Sequence, residues 1–304
     1  MSKRFTVTIP LIILAIIILF ILSLTAANIL TGAKSSVLNV ESIGIVEIQG
    51  MILDSADIIE KIHYVRDDKS VKAVVLRIDS PGGVVGPTQE IYEEVKKLKK
   101  LKPVYASMGS IAASGGYYIA AAATKIYANP GTITGSIGVL MKLANFQTLL
   151  NKVGIKSIVL KSGEFKDSGS PVRPLSTQDK KILQGVIDSL HGQFVYAVAE
   201  GRNLPRDEVN QLADGRIFSG EQALQIKLID KLGNLQDAVD EAAKAVGIKQ
   251  KPKLTYPPKP KLSFFDLLVE NAWDGISKAI ISNKTSTNER FEYSVPFTPS
   301  DQSR

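Results

Sequence analysis

From Ile43 onward, short runs of β-branched apolar residues alternate with longer stretches whose apolar residues recur every three or four positions. That alternation constrains the fold more than any other feature, because strands joined by helices pair in parallel and need helices to cover the sheet. Ile45–Ile48, Ala73–Ile78, Val104–Met108, Lys125–Ala128 and Ile155–Leu160 have the length and composition of strands. Between them, Ala56–Val65, a segment ending at Lys100, Ser114–Ala123 and Ala144–Val153 have helical spacing. After Pro174 helices dominate: Gln178–Glu200 with Ser176 as its N-cap, Arg206–Ala213, Gly220–Ile226 and Leu235–Val246. The expected fold is α/β with a largely parallel sheet and a C-terminal helical portion.

Ahead of this region, no charged residue occurs from Phe5 to Ala33. As a helix, Phe5 to Leu30 would run about 39 Å against a hydrocarbon core of about 30 Å, so residues 1–34 read as a membrane anchor. A cleavable leader ending near Thr25-Ala26-Ala27 is the competing reading. Lys3 and Arg4 precede the run, which predicts a single-pass protein with a cytoplasmic N-terminus and an extracytoplasmic main domain. At the other end, Lys249–Lys261 is rich in proline and lysine and reads as an extended linker. Beyond it an apolar stripe around Trp273 fits a helix, packed on protein or lying on lipid, and a polar tail follows from Thr285. Residues 35–249 then form the main domain and 250–304 the linker, helix and tail.

Composition removes several chemistries. There is no cysteine, which excludes disulfides, thiol nucleophiles and Cys-ligated metal. Two histidines 128 positions apart, His63 and His191, give no metal-ligand spacing and little material for a Ser-His-Asp triad. No GxxxxGK[ST] loop is present, so no ATPase domain is expected, and no cofactor is expected either. The net charge of +7, from 37 Lys and Arg against 30 Asp and Glu, is too mild and dispersed to indicate nucleic acid.

Four short motifs carry the chemistry. Ser80-Pro81-Gly82-Gly83 follows a strand, where glycines let backbone N–H groups approach a ligand oxygen. Ala113-Ser114-Gly115-Gly116 also follows a strand and opens a helix, which leaves a serine exposed. The third runs from Asn129 to Val139 and contains Ser136, and the fourth runs from Gly163 to Pro171 and contains Lys166. Each alone fits a turn, an N-cap or a solvated lysine.

In this order, with 31 positions from Gly83 to Ser114 and 52 from Ser114 to Lys166, the four resemble the signal peptide peptidase A (protease IV) family of membrane-anchored serine proteases. The likeness covers about residues 43–246 and fits the family's half-size members. It implies a Clp-protease/crotonase-like fold, Ser114 as nucleophile, Lys166 as general base, and Ser136 as the hydroxyl that positions the lysine. It also implies an oxyanion hole made by the Gly83 and Gly115 amides. Peptide substrates such as signal-peptide remnants, contact with membrane lipid and a ring-shaped homo-oligomer with sites at subunit boundaries come with it. Ser114 and Lys166 of one chain are then expected to lie out of reach of each other.

A lysine acts as a base only when neutral, which near pH 7 requires burial to bring its pKa well below the usual value of about 10.4. Asp167 is therefore expected to face away from Lys166, since a carboxylate would hold the ammonium charged. Two other readings stay open: a crotonase-type acyl-CoA enzyme with the same fold, and a catalytically silent membrane scaffold.

Overall fold

The computed structural model describes residues 16–20, 22–23 and 41–258. Residues 16–20 and 22–23 are helical, and among the described residues no helix is long and apolar enough to cross a membrane. Most of the anchor expected over 1–34, and the amphipathic helix and tail expected after the linker, lie outside the described residues. Contacts divide the chain into Met1–Pro257 and Pro258–Arg304, and only Pro258 of the second unit is described.

Eight strands form one mixed sheet: β1 Ser42–Gln49, β2 Val71–Ser80, β3 Val104–Ala113, β4 Lys125–Ala128, β5 Ile133–Gly135, β6 Ile217–Ser219, β7 Lys231–Leu232 and β8 Lys253–Thr255. The helices are α1 Ala56–Asp67, α2 Val85–Lys99, α3 Gly115–Ala121, α4 Gln147–Lys152, α5 Thr177–Arg202, α6 Arg206–Leu212, α7 Gly220–Gln225 and α8 Leu235–Ala245. The order across the sheet is β6-β5-β3-β2-β1-β8, with β4 paired to β3 and β7. Every pairing is parallel except β5 with β6.

Side chains of the central strands alternate between two cores, as a period of two requires. Val74, Leu76 and Ile78 of β2, with Val104, Ala106 and Met108 of β3, join a core that includes residues of α1, α2, α3 and α5. Ala73, Val75 and Tyr105 point the other way, onto Ala238, Val239 and Ala242 of α8. Each fully buried Val, Leu or Ile contributes about 1.5–3 kcal/mol, and this double covering is why β1 and β2 read as nearly unbroken apolar runs. Lys102, just past α2, has a structural role. Lys102 donates through Nζ to the carbonyls of Val65 and Asp68 at 2.8 and 2.7 Å, closing the end of α1.

Three expectations need correction. Ile155–Leu160 is not a strand but an irregular segment, with Leu160 95% and Ile158 85% exposed. A strand needs a neighbour for its N–H and C=O groups, and the described part of the chain offers none there. The helix expected over Ala144–Val153 forms only over Gln147–Lys152. The linker is not free from residue 250 either. Lys253–Thr255 pair in parallel with Ser42–Gly44, and Thr255 Oγ1 donates to Ser42 Oγ at 2.9 Å, so the sheet extends past the expected boundary at 249.

Candidate active site

Parallel strands end on the same side, so the loops that leave β1, β2, β3 and β5 meet at one edge of the sheet. The carboxyl end of β2 delivers Gly82 and Gly83, that of β3 delivers Ser114, and that of β5 delivers Ser136.

Ser114 occupies a tight corner between β3 and α3 with φ 52° and ψ −120°, a backbone conformation costly for any residue with a Cβ. The corner is held from both sides. Ser114 N–H donates to the Gly135 carbonyl at 2.9 Å, and the Ser114 carbonyl accepts from Tyr118 N–H at 2.8 Å. Further along α3, Tyr117 is fully buried and its hydroxyl donates to the Leu228 carbonyl at 2.8 Å. Its phenol is pushed up from its usual pKa by burial. The side-chain oxygen of Ser114 itself makes no hydrogen bond among the described residues.

The glycine pair sits directly against this corner. A Cβ placed on Gly82, whose φ is +96°, would lie 2.6 Å from the Gly115 nitrogen and 2.8 Å from Ser114 Cβ. Only a hydrogen fits, so glycine is required. Gly83 is fixed by a parallel bridge to Ile52, in which Ile52 N–H donates to the Gly82 carbonyl at 3.0 Å and Val84 N–H to the Ile52 carbonyl at 2.8 Å. That pairing leaves the Gly83 N–H without an acceptor among the described residues, and the Gly115 N–H is free in the same sense. Two uncommitted backbone donors therefore flank a serine hydroxyl, the arrangement that can hold an oxyanion.

Ser136 arrives by register. Ile111, Ala112 and Ala113 of β3 pair with Ile133, Thr134 and Gly135 of β5, so the next residue of each strand is a serine. Ser136 has φ 50°, and its N–H donates to the Arg216 carbonyl at 2.8 Å, which ties the corner to the turn before β6.

Lys166 is exposed, in a run of turns over 164–169. Its N–H donates to the Gly163 carbonyl at 3.2 Å, and its Nζ makes no hydrogen bond or ion pair among the described residues, to Ser114, Ser136 or any other. Asp167 is occupied elsewhere: it accepts from Arg173 Nε at 2.8 Å and from Lys161 Nζ at 2.5 Å. The Arg173 guanidinium, then the Lys161 ammonium, holds the Asp167 carboxyl well below the usual carboxylate range.

Sequence reasoning gave no role to the side chain of Ser80, whose hydroxyl accepts from Gly82 N–H at 3.1 Å. It also missed Asp79, which accepts from Ile111 N–H at 3.2 Å and sits where a Cβ on Gly109 would be, 2.6 Å from Oδ2. Both directly follow the β2 apolar run, and polar residues at a strand's carboxyl end are the signal that could have found them. Neither histidine joins the site. His63 meets Glu94 at 2.9 Å, and His191 Nε2 meets the Ala213 carbonyl at 2.7 Å.

The sequence is similar to those of known peptidases. Residues 96–249 match the family model described as Peptidase family S49, and residues 36–133 match the one described as Clp protease. A Synechocystis sp. protein that carries the name of a protease is 50% identical over 182 residues, 60% of this chain and 66% of its own length. A protein of Enterococcus faecium named as a signal peptide peptidase is 41% identical over 196 residues, 64% of this chain and 55% of its own. Protease 4 of Haemophilus influenzae is 36% identical over 221 residues, covering 68% of this chain and 35% of its own length. The aligned part of the chain thus spans from two thirds down to one third of these relatives.

Proposed function

The chain belongs to peptidase family S49, and we propose that it is a membrane-bound serine endopeptidase that hydrolyses peptide bonds with a Ser/Lys pair. The observation that carries this is the Ser114 corner. A serine strained to φ 52°, with a free hydroxyl and two free backbone amides beside it, suits a nucleophile and an oxyanion hole.

In this scheme Ser114 Oγ attacks the peptide carbonyl carbon while its proton passes to the neutral Nζ of Lys166. The carbonyl oxygen becomes an oxyanion held by the Gly83 and Gly115 N–H groups. As the C–N bond breaks, Nζ returns the proton to the departing amine, leaving an acyl-serine. Water, deprotonated by the same amine, then releases the acid and restores Ser114. Ser136, next in register, accepts or donates a hydrogen bond that aims the lysine.

Because Lys166 is exposed and its Nζ has no partner among the described residues, the base that serves Ser114 comes from a second copy, in a ring-shaped homo-oligomer. The exposed apolar side chains of Leu140, Leu149, Val153, Ile155, Ile158 and Leu160 support such an assembly, since monomers seldom leave so many together in water. The uncharged stretch from Phe5 to Ala33 supports a single-pass anchor with the main domain outside the cytoplasm, in contact with lipid. Apolar peptides in or near the membrane, such as residual signal peptides, are the substrates that placement favours. The name of the Enterococcus faecium relative points the same way.

The test is cleavage of an apolar peptide by the full chain, Ser114→Ala and Lys166→Ala across pH. Both variants lose turnover if the scheme holds, and equal activity in all three ends it. Mixing the two inactive variants restores part of the activity if serine and lysine come from different chains.

A further inference from the structure

The loop that carries Lys166 is built around one buried carboxylate. Asp179, at the start of α5, is 2% exposed and is the only charged residue among the buried described ones. It accepts from Arg173 Nη1 at 2.6 Å and Nη2 at 3.2 Å, from Ser168 Oγ at 2.5 Å, and from Ser176 through N at 3.0 Å and Oγ at 2.8 Å.

Arg173 spends its remaining donors on the residue beside the lysine. Nε and Nη2 grip the two Asp167 carboxylate oxygens side-on at 2.8 and 3.1 Å, and Nη2 also reaches the Asp167 carbonyl at 3.1 Å. Lys161 completes the group, donating to Asp167 Oδ1 at 2.5 Å and to the Glu164 carbonyl at 2.6 Å. Two carboxylates thus face two cations. Lys161 and Arg173 of the loop and Asp179 of α5 are the charged side chains bonded to this group with Asp167, and Glu164 contributes only its backbone oxygen. Lys166 adjoins the cluster in sequence and stands outside it.

We infer that Arg173, seconded by Lys161, is a positioning residue that sequesters the Asp167 carboxylate so that the adjoining Lys166 can lose its proton and serve as base. The physical reason is the sign of the leftover charge. Remove either cation and the cluster keeps a net negative charge beside the ammonium, which favours the charged form of the lysine. With both cations in place that attraction is cancelled, and the bidentate grip on Asp167 also fixes the backbone from which Lys166 projects. A lysine at position 173 could not grip both carboxylates in this way.

The inference rests on Lys166 being the general base, and the experiment separates the two claims. The readout is kcat/KM for an apolar peptide from pH 5 to 10, whose acid limb reports the free-enzyme base. The full-length chain is compared with Arg173→Met, Lys161→Met, Asp167→Asn and the doubles Arg173→Met/Asp167→Asn and Lys161→Met/Asp167→Asn. The expected result is an acid limb moved up by about one pH unit in Arg173→Met and by less in Lys161→Met, returning to the wild-type position in both doubles. A rate lowered equally at every pH, or a shift that persists in the Asp167→Asn background, overturns the inference and leaves the Ser/Lys scheme standing. Full activity in Lys166→Ala instead overturns the scheme itself. Should Arg173→Met fail to fold, the Lys161→Met pair carries the same test, because Lys161 touches Asp167 but not α5.

Discussion

Replacing Gly82 by alanine tests whether the glycine pair and the serine corner form one unit. Two costs add. An L-residue held at φ +96° loses about 1–2 kcal/mol. The new methyl also lies 2.6 Å from the Gly115 nitrogen and 3.1 Å from the Ala113 carbonyl, both backbone atoms that cannot rotate away. Such overpacking costs about 1–3 kcal/mol more, for a total of about 2–5. Gly50 supplies the control: its φ is +70°, but nothing lies within 4 Å of a Cβ there, so Gly50→Ala carries only the first cost. Function separates the two further. Restoring ordinary contact from 2.6 to 3.4 Å moves the Gly115 amide by about 0.8 Å, and misplacement near 1 Å costs on the order of 100-fold in rate. Urea denaturation in detergent, with m-values, and peptide hydrolysis are the two assays. If Gly82→Ala unfolds at the same urea concentration as Gly50→Ala and keeps full turnover, the packing argument is wrong.

Three other outcomes follow from the same coordinates. Ser114→Gly should be more stable than Ser114→Ala by about 1 kcal/mol in thermal or urea unfolding, because glycine alone is unstrained at φ 52°; equal stabilities would mean the corner stores no strain. In α5, Gly185→Ala should stabilise by about 0.5–1 kcal/mol, since nothing meets its Cβ, whereas Gly201→Ala should destabilise, its Cβ falling on the Ala121 carbonyl oxygen; the same sign for both would contradict the observed packing of α5 on α3. Asp167 and Asp179 are both held below the ordinary carboxylate value of 3.8, in each case chiefly by Arg173. A depressed folded-state pKa gives stability that is full above that value and lost as pH falls below it, so the urea midpoint should fall on acidification below about pH 4, less steeply in Asp179→Asn.

Much of the fold was legible because local signals and tertiary structure agree. The apolar runs of β1 to β4 are covered on both faces, and Ser176 caps α5 through a reciprocal pair with Asp179, as its position before the helix suggested. Elements that depend on a partner were not. β5 is three residues long and hidden in a glycine- and threonine-rich turn, and β6 exists only because it pairs with β5. Ile155–Leu160 has a strand's composition and no strand beside it. The extended conformation of residues 253–255 was readable, but their pairing with β1 was not.

The candidate site divides the same way. The chemistry of Ser114, Gly83, Gly115, Ser136 and Lys166 was suggested by their motifs and the likeness those motifs carry. The nearness of Ser114 and Ser136 depends on the β3–β5 register, which no local pattern encodes. That Asp167 faces Arg173 and not Lys166 was anticipated only as a requirement of the chemistry. Arg173 itself looks like any loop arginine until the carboxylate of α5 is brought against it.

The Ser114 corner is braced by residues made a hundred positions later: Tyr117 leans on the Leu228 carbonyl, and Ser136 hangs from that of Arg216. A nascent chain of only the first two hundred residues therefore carries every motif and neither brace, and truncation before residue 216 would remove both anchoring carbonyls.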